Sequence, residues 1–117
     1  MTAVEQVVRG VLLEGVDDWL PLDVLIWHAR QHAQGVPGGF KQVVLDALEK
    51  LLAERLALVG DIGDRGFQSW SVPTAEAIGR IVAECNAVNW EPYGSLCWIS
   101  NTLEGTQFVQ QDGAGLA

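Results

Sequence analysis

Seven apolar residues, Phe40, Val43, Val44, Ala47, Leu48, Leu51 and Leu52, follow one another at steps of three and four without a miss. At 3.6 residues per turn they share one stripe, so the segment from about 38 to 55 is expected to be an amphipathic helix at the centre of the core. Gly35-Val36-Pro37-Gly38-Gly39 ahead of it can only be a turn. Behind it the period changes. Ala57 to Ile62 and Phe67 to Val72 bracket Gly63-Asp64-Arg65-Gly66, which predicts a hairpin with a four-residue loop.

The flanks supply further elements. Thr2-Ala3-Val4-Glu5 fits a capping box, and Val4, Val7, Val8, Val11 and Leu12 keep helical spacing to about Gly15. Val16 to Pro21 is too short and proline-bound for a helix and suits a short extended piece. A second helix begins near Leu22 and places Leu22, Leu25, Ile26, Ala29 and Ala33 on one stripe. Thr74 can cap a fourth helix, with Glu76 in its first turn and Ile78, Ile81, Val82 and Cys85 facing inward. Asn89 to Ser95 reads as a loop and Leu96 to Ser100 as extended. Asn101 or Thr102 can cap a last short helix through about Gln110, and the tail from about residue 111 is expected to fray. The pattern Trp-x3-Thr-x-Glu occurs at Trp70 and again at Trp98, two uses of one local device.

The order helix, short strand, helix, turn, helix, hairpin, helix resembles the winged helix-turn-helix superfamily over roughly residues 2–88. Trp19-Leu20-Pro21-Leu22, the long third helix and Leu56 to Val72 carry the likeness. It implies an α+β, winged-helix-like single domain: a three-helix core with a β-hairpin wing, plus a fourth helix and a short C-terminal strand and helix. In that fold the third helix reads DNA and the wing sits beside it, with Lys41, Gln42, Lys50 and Arg65 as the contacts this chain could offer.

The charges oppose that use. The chain has 117 residues and a formal net charge of −8, and residues 1–35, 36–65 and 66–117 are each net negative. Such a surface repels nucleic acid and anionic lipid at long range. A DNA-reading helix gains affinity from several phosphate contacts at once. Here Glu49, Glu54, Asp61 and Asp64 outweigh Lys50, Arg55 and Arg65 along helix and wing. The expected partner is therefore a protein, basic in character, or a second copy of the chain. A transcriptional regulator that uses the third helix and the 57–72 wing is the competing expectation.

No residue constellation points to an enzyme, and no cofactor is expected. His28 and His32 lie four apart, but no HExxH or CxxC motif adds the ligands a metal needs. Cys85 and Cys97 sit in apolar patterns that suit buried thiols better than nucleophiles, with a disulfide as the other option. Gly60, Gly63 and Gly66 belong to the hairpin. Asp17, Asp18 and Asp23 suit helix ends and loops better than an acid–base pair. The segment MTAVEQVVRG lacks a basic start followed by a long apolar run, and no uncharged run approaches the roughly 20 residues of a membrane span. A cytoplasmic protein is expected.

The surplus lies in the aromatics. Five tryptophans are scattered along the chain, and Trp27 falls off the main stripe of its helix together with Val24. Trp90, Tyr93 and Trp98 follow closely after the fourth helix. Either this segment folds back and buries its rings, or the rings form an exposed patch. In the second case Trp27, Trp90, Tyr93 and Trp98 anchor a partner, and Glu91 and Glu104 form an acidic rim. The composition thus fits a non-catalytic protein-interaction module: an adaptor, an inhibitor or an immunity-type protein.

Overall fold

A computed structural model describes residues 1–116, with side chains described through Gln111. The last helix, expected to end near Gln110, runs to Leu116. Among the described residues five helices and four strands follow one another as α1 (Ala3–Glu14), β1 (Leu20–Pro21), α2 (Leu22–His32), α3 (Gly39–Ala53), β2 (Ala57–Gly63), β3 (Gly66–Ser69), α4 (Thr74–Ala87), β4 (Trp98–Asn101) and α5 (Leu103–Leu116). The fold is α+β.

Each of the first three helices turns its apolar stripe toward the other two. Val7, Val8, Val11 and Leu12 of α1, Leu22, Leu25, Ile26 and Ala29 of α2, and Val43, Val44, Ala47, Leu48 and Leu51 of α3 form one buried cluster. The capping box at α1 is complete: Glu5 N–H donates to Thr2 Oγ1 at 3.1 Å, and Thr2 N–H donates to Glu5 Oε1 at 3.0 Å. Those hydrogen bonds from Thr2 favour the ionised carboxylate and hold the Glu5 carboxyl below its ordinary range.

The strands make one antiparallel sheet in the order β1-β4-β2-β3. The C-terminal strand is therefore no appendage. It lies between β1 and the hairpin, pairing Ile99 with Leu20 on one side and with Val59 on the other. Those three side chains form the row that faces the helices, and all are buried. The start of α5 is anchored to the α3–β2 corner, where Thr102 N–H donates to the Leu56 carbonyl at 3.0 Å and Thr102 Oγ1 donates to the Arg55 carbonyl at 2.7 Å. Gly105 permits this approach, since a Cβ there would stand 1.8 Å from the Leu56 oxygen.

Several boundaries differ from expectation. The extended piece before α2 shrinks to Leu20–Pro21. The hairpin loop is Asp64-Arg65 alone, because Gly63 and Gly66 pair with each other as its last rung. The second hairpin strand stops at Ser69, and Ser71 turns the chain toward α4 with φ 54°. Thr74 does not cap α4. Pro73 takes that position, its carbonyl accepting from Ala77 N–H at 3.0 Å, and Thr74 becomes the first helical residue. Thr102 does act as a cap, accepting from Gly105 N–H at 3.0 Å, so the two Trp-x3-Thr-x-Glu copies are used differently. Among the described residues no helix is long and apolar enough to cross a membrane.

Candidate functional site

On α2, Asp23, Trp27 and Arg30 are spaced by four and three residues and share the face turned away from the core. Trp27 is 57% exposed there. The segment that arrives opposite it is the loop between α4 and β4. Asn89, Trp90 and Tyr93 there adopt left-handed backbone angles (φ 58°, 61° and 49°), as does Gly94 (φ 78°). For a tryptophan or tyrosine such angles cost of order 1–3 kcal/mol each and persist only where the surroundings enforce them.

The enforcing contacts are specific. Trp90 N–H donates to the Cys85 carbonyl at 2.8 Å, and its indole N–H donates to Asn86 Oδ1 at 2.9 Å. The Trp90 ring meets Phe40 edge-on with centroids 5.8 Å apart, at the first turn of α3. Gly94 N–H donates to both oxygens of Asp23, at 3.1 and 3.2 Å, tying the loop to the start of α2. Ser95 Oγ donates to the Pro92 carbonyl at 2.6 Å and closes the turn.

Between helix and loop lies a groove of about 270 Å³. Ile26, Trp90 and Pro92 line its depth, and Trp27 and Tyr93 stand at its sides. Asp23, Glu91 and Arg30 supply the charges at its edge. Tyr93 is 84% exposed, and its hydroxyl donates to Glu91 at 3.3 Å. A second, open hollow of about 400 Å³ adjoins on the other side of Trp27, bordered by Glu14, Asp23 and Val24. Trp27 is the ridge between the two. Behind it His28 packs edge-on to the Trp27 ring at 5.0 Å and pairs through Nε2 with the Glu14 carboxylate.

The expected aromatic anchors are thus divided. Trp27, Tyr93 and Glu91 come together at one groove. Trp90 belongs to that groove only as its floor: it is 4% exposed, a core residue, and its ring cannot serve as a projecting anchor. The reason is Phe40 and the α3 N-terminus, which offer the indole an apolar seat. Trp98 lies elsewhere, half-buried on β4 and paired in register with Pro21 and Gly60. Glu104 sits in the first turn of α5.

Three of the four residues a DNA contact would need, Lys41, Gln42 and Lys50, have partners within the chain. Lys41 Nζ lies 5.4 Å from the centre of the Trp90 ring. The Gln42 amide donates to Asp46 at 2.9 Å, and Lys50 pairs with Glu54 at 2.9 Å. Arg65 is exposed at the hairpin tip beside Asp64.

Burial governs the thiols. Cys85 and Cys97 are free and buried, and desolvation pushes their pKa values up to about 11 and about 12. A nucleophile needs the thiolate, which burial here suppresses. Among the described residues no group of three or more His, Cys, Asp or Glu side chains could hold a metal ion.

Sequence reasoning missed three parts of the groove. Asp23 reads as a helix-end residue, yet its carboxylate ties down a loop 71 residues away. Arg30 stacks over Phe40 at 3.9 Å, a contact across two helices that no local pattern signals. Pro92 reads only as a turn former, although it is buried. No family model, curated protein or solved structure matches the chain.

Proposed function

We propose that this chain is a non-catalytic protein-interaction module on a winged-helix scaffold, and that the groove between α2 and the α4–β4 loop takes a basic, partly apolar segment of another protein. One observation carries the reading: Trp27 and Tyr93, 57% and 84% exposed, flank a preformed apolar floor whose edge, with Asp23, Glu91 and Arg30, is net negative. Exposed aromatics over a rigid concave base are what dominant interface anchors require. Carboxylates at the rim favour Lys and Arg, whose cations also gain from aromatic faces. The order α1-β1-α2-α3-β2-β3, with the hairpin following α3 directly, supports the winged-helix scaffold. DNA recognition by α3 is disfavoured, since Trp90 and Phe40 pack together at its N-terminal turn and its polar side chains pair among themselves.

The test uses a short helical peptide of alternating lysine and leucine turns as the probe, followed by intrinsic fluorescence, beside a duplex DNA titration. The wild-type chain should bind the peptide, and the double variant Trp27→Ala, Tyr93→Asn should weaken that binding by about tenfold or more, the scale of losing one anchor. Equal binding by wild type and variant sinks the groove reading. Sub-micromolar, steeply salt-dependent binding of duplex DNA sinks the interaction-module reading itself.

A further inference from the structure

The groove accounts for Trp27 and Tyr93 and leaves the aromatics of the sheet unexplained. In the sheet register, the row Leu20, Ile99 and Val59 faces the helices. Side chains alternate along a strand, so Pro21, Trp98, Leu58 and Ser100 point to the opposite face, with Ile62 and its partner Phe67 beyond them. Trp19 joins this face, its ring 6.3 Å from that of Phe67. Trp19, Leu58 and Ile62 are 47%, 43% and 41% exposed. None of these residues is charged, on a chain carrying 22 ionisable Lys, Arg, Asp and Glu side chains.

We propose that two copies of the chain associate through this face as a two-fold dimer. The argument rests on charge and on shape. A partner attracted electrostatically to a −8 protein gains little from the uncharged centre of this face. For a second copy the same neutrality is an advantage, because elsewhere two such chains oppose like charges on contact. A two-fold contact places one patch against itself, so a single patch must supply both bulk and hollow. This one does: Trp19, Trp98 and Phe67 stand beside Gly60, Ser69 and Ser100. The exposed apolar part of the face is on the order of 300–400 Å², about half of what one partner of a standard interface buries, with the rest falling to a polar rim. Asp17, Asp18 and Asp64 outnumber Arg65 on that rim. The dimer is therefore a moderate one that added salt tightens by screening repulsion. Salt weakens the docking of a basic segment in the groove, so the two surfaces are separable by sign.

Sedimentation equilibrium of the full chain between about 5 and 500 µM, at about 0.05 M and 0.5 M NaCl, tests this. The expected result is a reversible dimer whose Kd falls about threefold or more at the higher salt. Leu58→Lys and Ile62→Lys each place a cation on a surface that self-pairing must desolvate, and each should raise Kd about tenfold or more. Trp27→Ala should leave Kd unchanged. Circular dichroism confirms that a variant is folded, and Ile62→Lys, near the hairpin tip, carries the test if Leu58→Lys is not. A chain that stays monomeric at every concentration and salt overturns the proposal. So does a wild-type Kd in the folded lysine variants, or loss of the dimer in Trp27→Ala.

Discussion

Trp27 and Tyr93 border a groove shaped by a handful of side chains, whereas Trp19 and Trp98 stand on a face shaped by backbone ladders. The groove exists because Trp90 fills the space over Phe40 and because one carboxylate, Asp23, holds Gly94 in place. The sheet face exists because β4 pairs on both sides, and no single side chain sets its form. A surface of the first kind is selective and easily lost. One of the second kind is robust in shape and vulnerable chiefly to a misplaced charge. The difference makes the two surfaces separately breakable.

The largest effect should come from the floor of the groove. Trp90 is 4% exposed and bridges the loop, α4 and the start of α3. Trp90→Ala removes that packing and leaves a cavity, at a cost of about 3–5 kcal/mol in denaturant unfolding. It should also abolish peptide binding in the groove while leaving the sheet-face dimer intact in the folded fraction. A loss below about 1 kcal/mol would mean that the loop holds its shape by other means.

The helical core was legible because its signal is local: a stripe at steps of three and four reports burial whatever packs against it. The hairpin was legible for the same reason, through Gly63 and Gly66. The place of β4 was not. Its four residues carry an alternating pattern too short to say which neighbours they pair with, and its partners Leu20 and Val59 are 79 and 40 positions away in the chain. The fate of the tryptophans was likewise hidden. Trp27 and Trp90 look alike as residues in a composition, and only Phe40, brought beside Trp90 by the α2–α3 turn, decides that one is floor and the other wall.

A middle-sized effect lies at the foot of the loop, where groove and sheet share a base. Trp90 N–H is bonded to the Cys85 carbonyl, and Leu22 N–H to the Cys97 carbonyl at 3.0 Å, so both thiols mark the points where the loop leaves and rejoins the core. Burial raises both from the ordinary value of 9.0, to about 11 and about 12. A thiol with a raised native pKa keeps its proton while the unfolded chain releases it. The unfolded state then binds fewer protons, and stability falls as pH rises through 9 toward 11. Two such thiols should together cost about 2 kcal/mol between pH 9 and pH 10. Comparing unfolding of the wild type with a Cys85→Ala, Cys97→Ala variant isolates this slope from that of lysine and tyrosine. Equal slopes would show that the thiols ionise freely in the native state.

The smallest effect is the most informative about function. Trp27 is more than half exposed and Tyr93 nearly wholly so, and in the monomer neither fills space that other side chains close upon. Tyr93 also holds a left-handed backbone angle that asparagine adopts more readily than tyrosine, so Tyr93→Asn relieves local strain while removing the ring. The double variant Trp27→Ala, Tyr93→Asn should therefore change unfolding free energy by less than about 1 kcal/mol. Two exposed rings whose removal costs the monomer little are free to contribute through contact with another molecule, as the proposed docking groove requires. The measurement is a thermal melt of the double variant beside Trp90→Ala. If the double variant melts as early as Trp90→Ala does, the exposed rings are structural after all. The contrast between wall and floor then disappears, and with it the case for a docking groove.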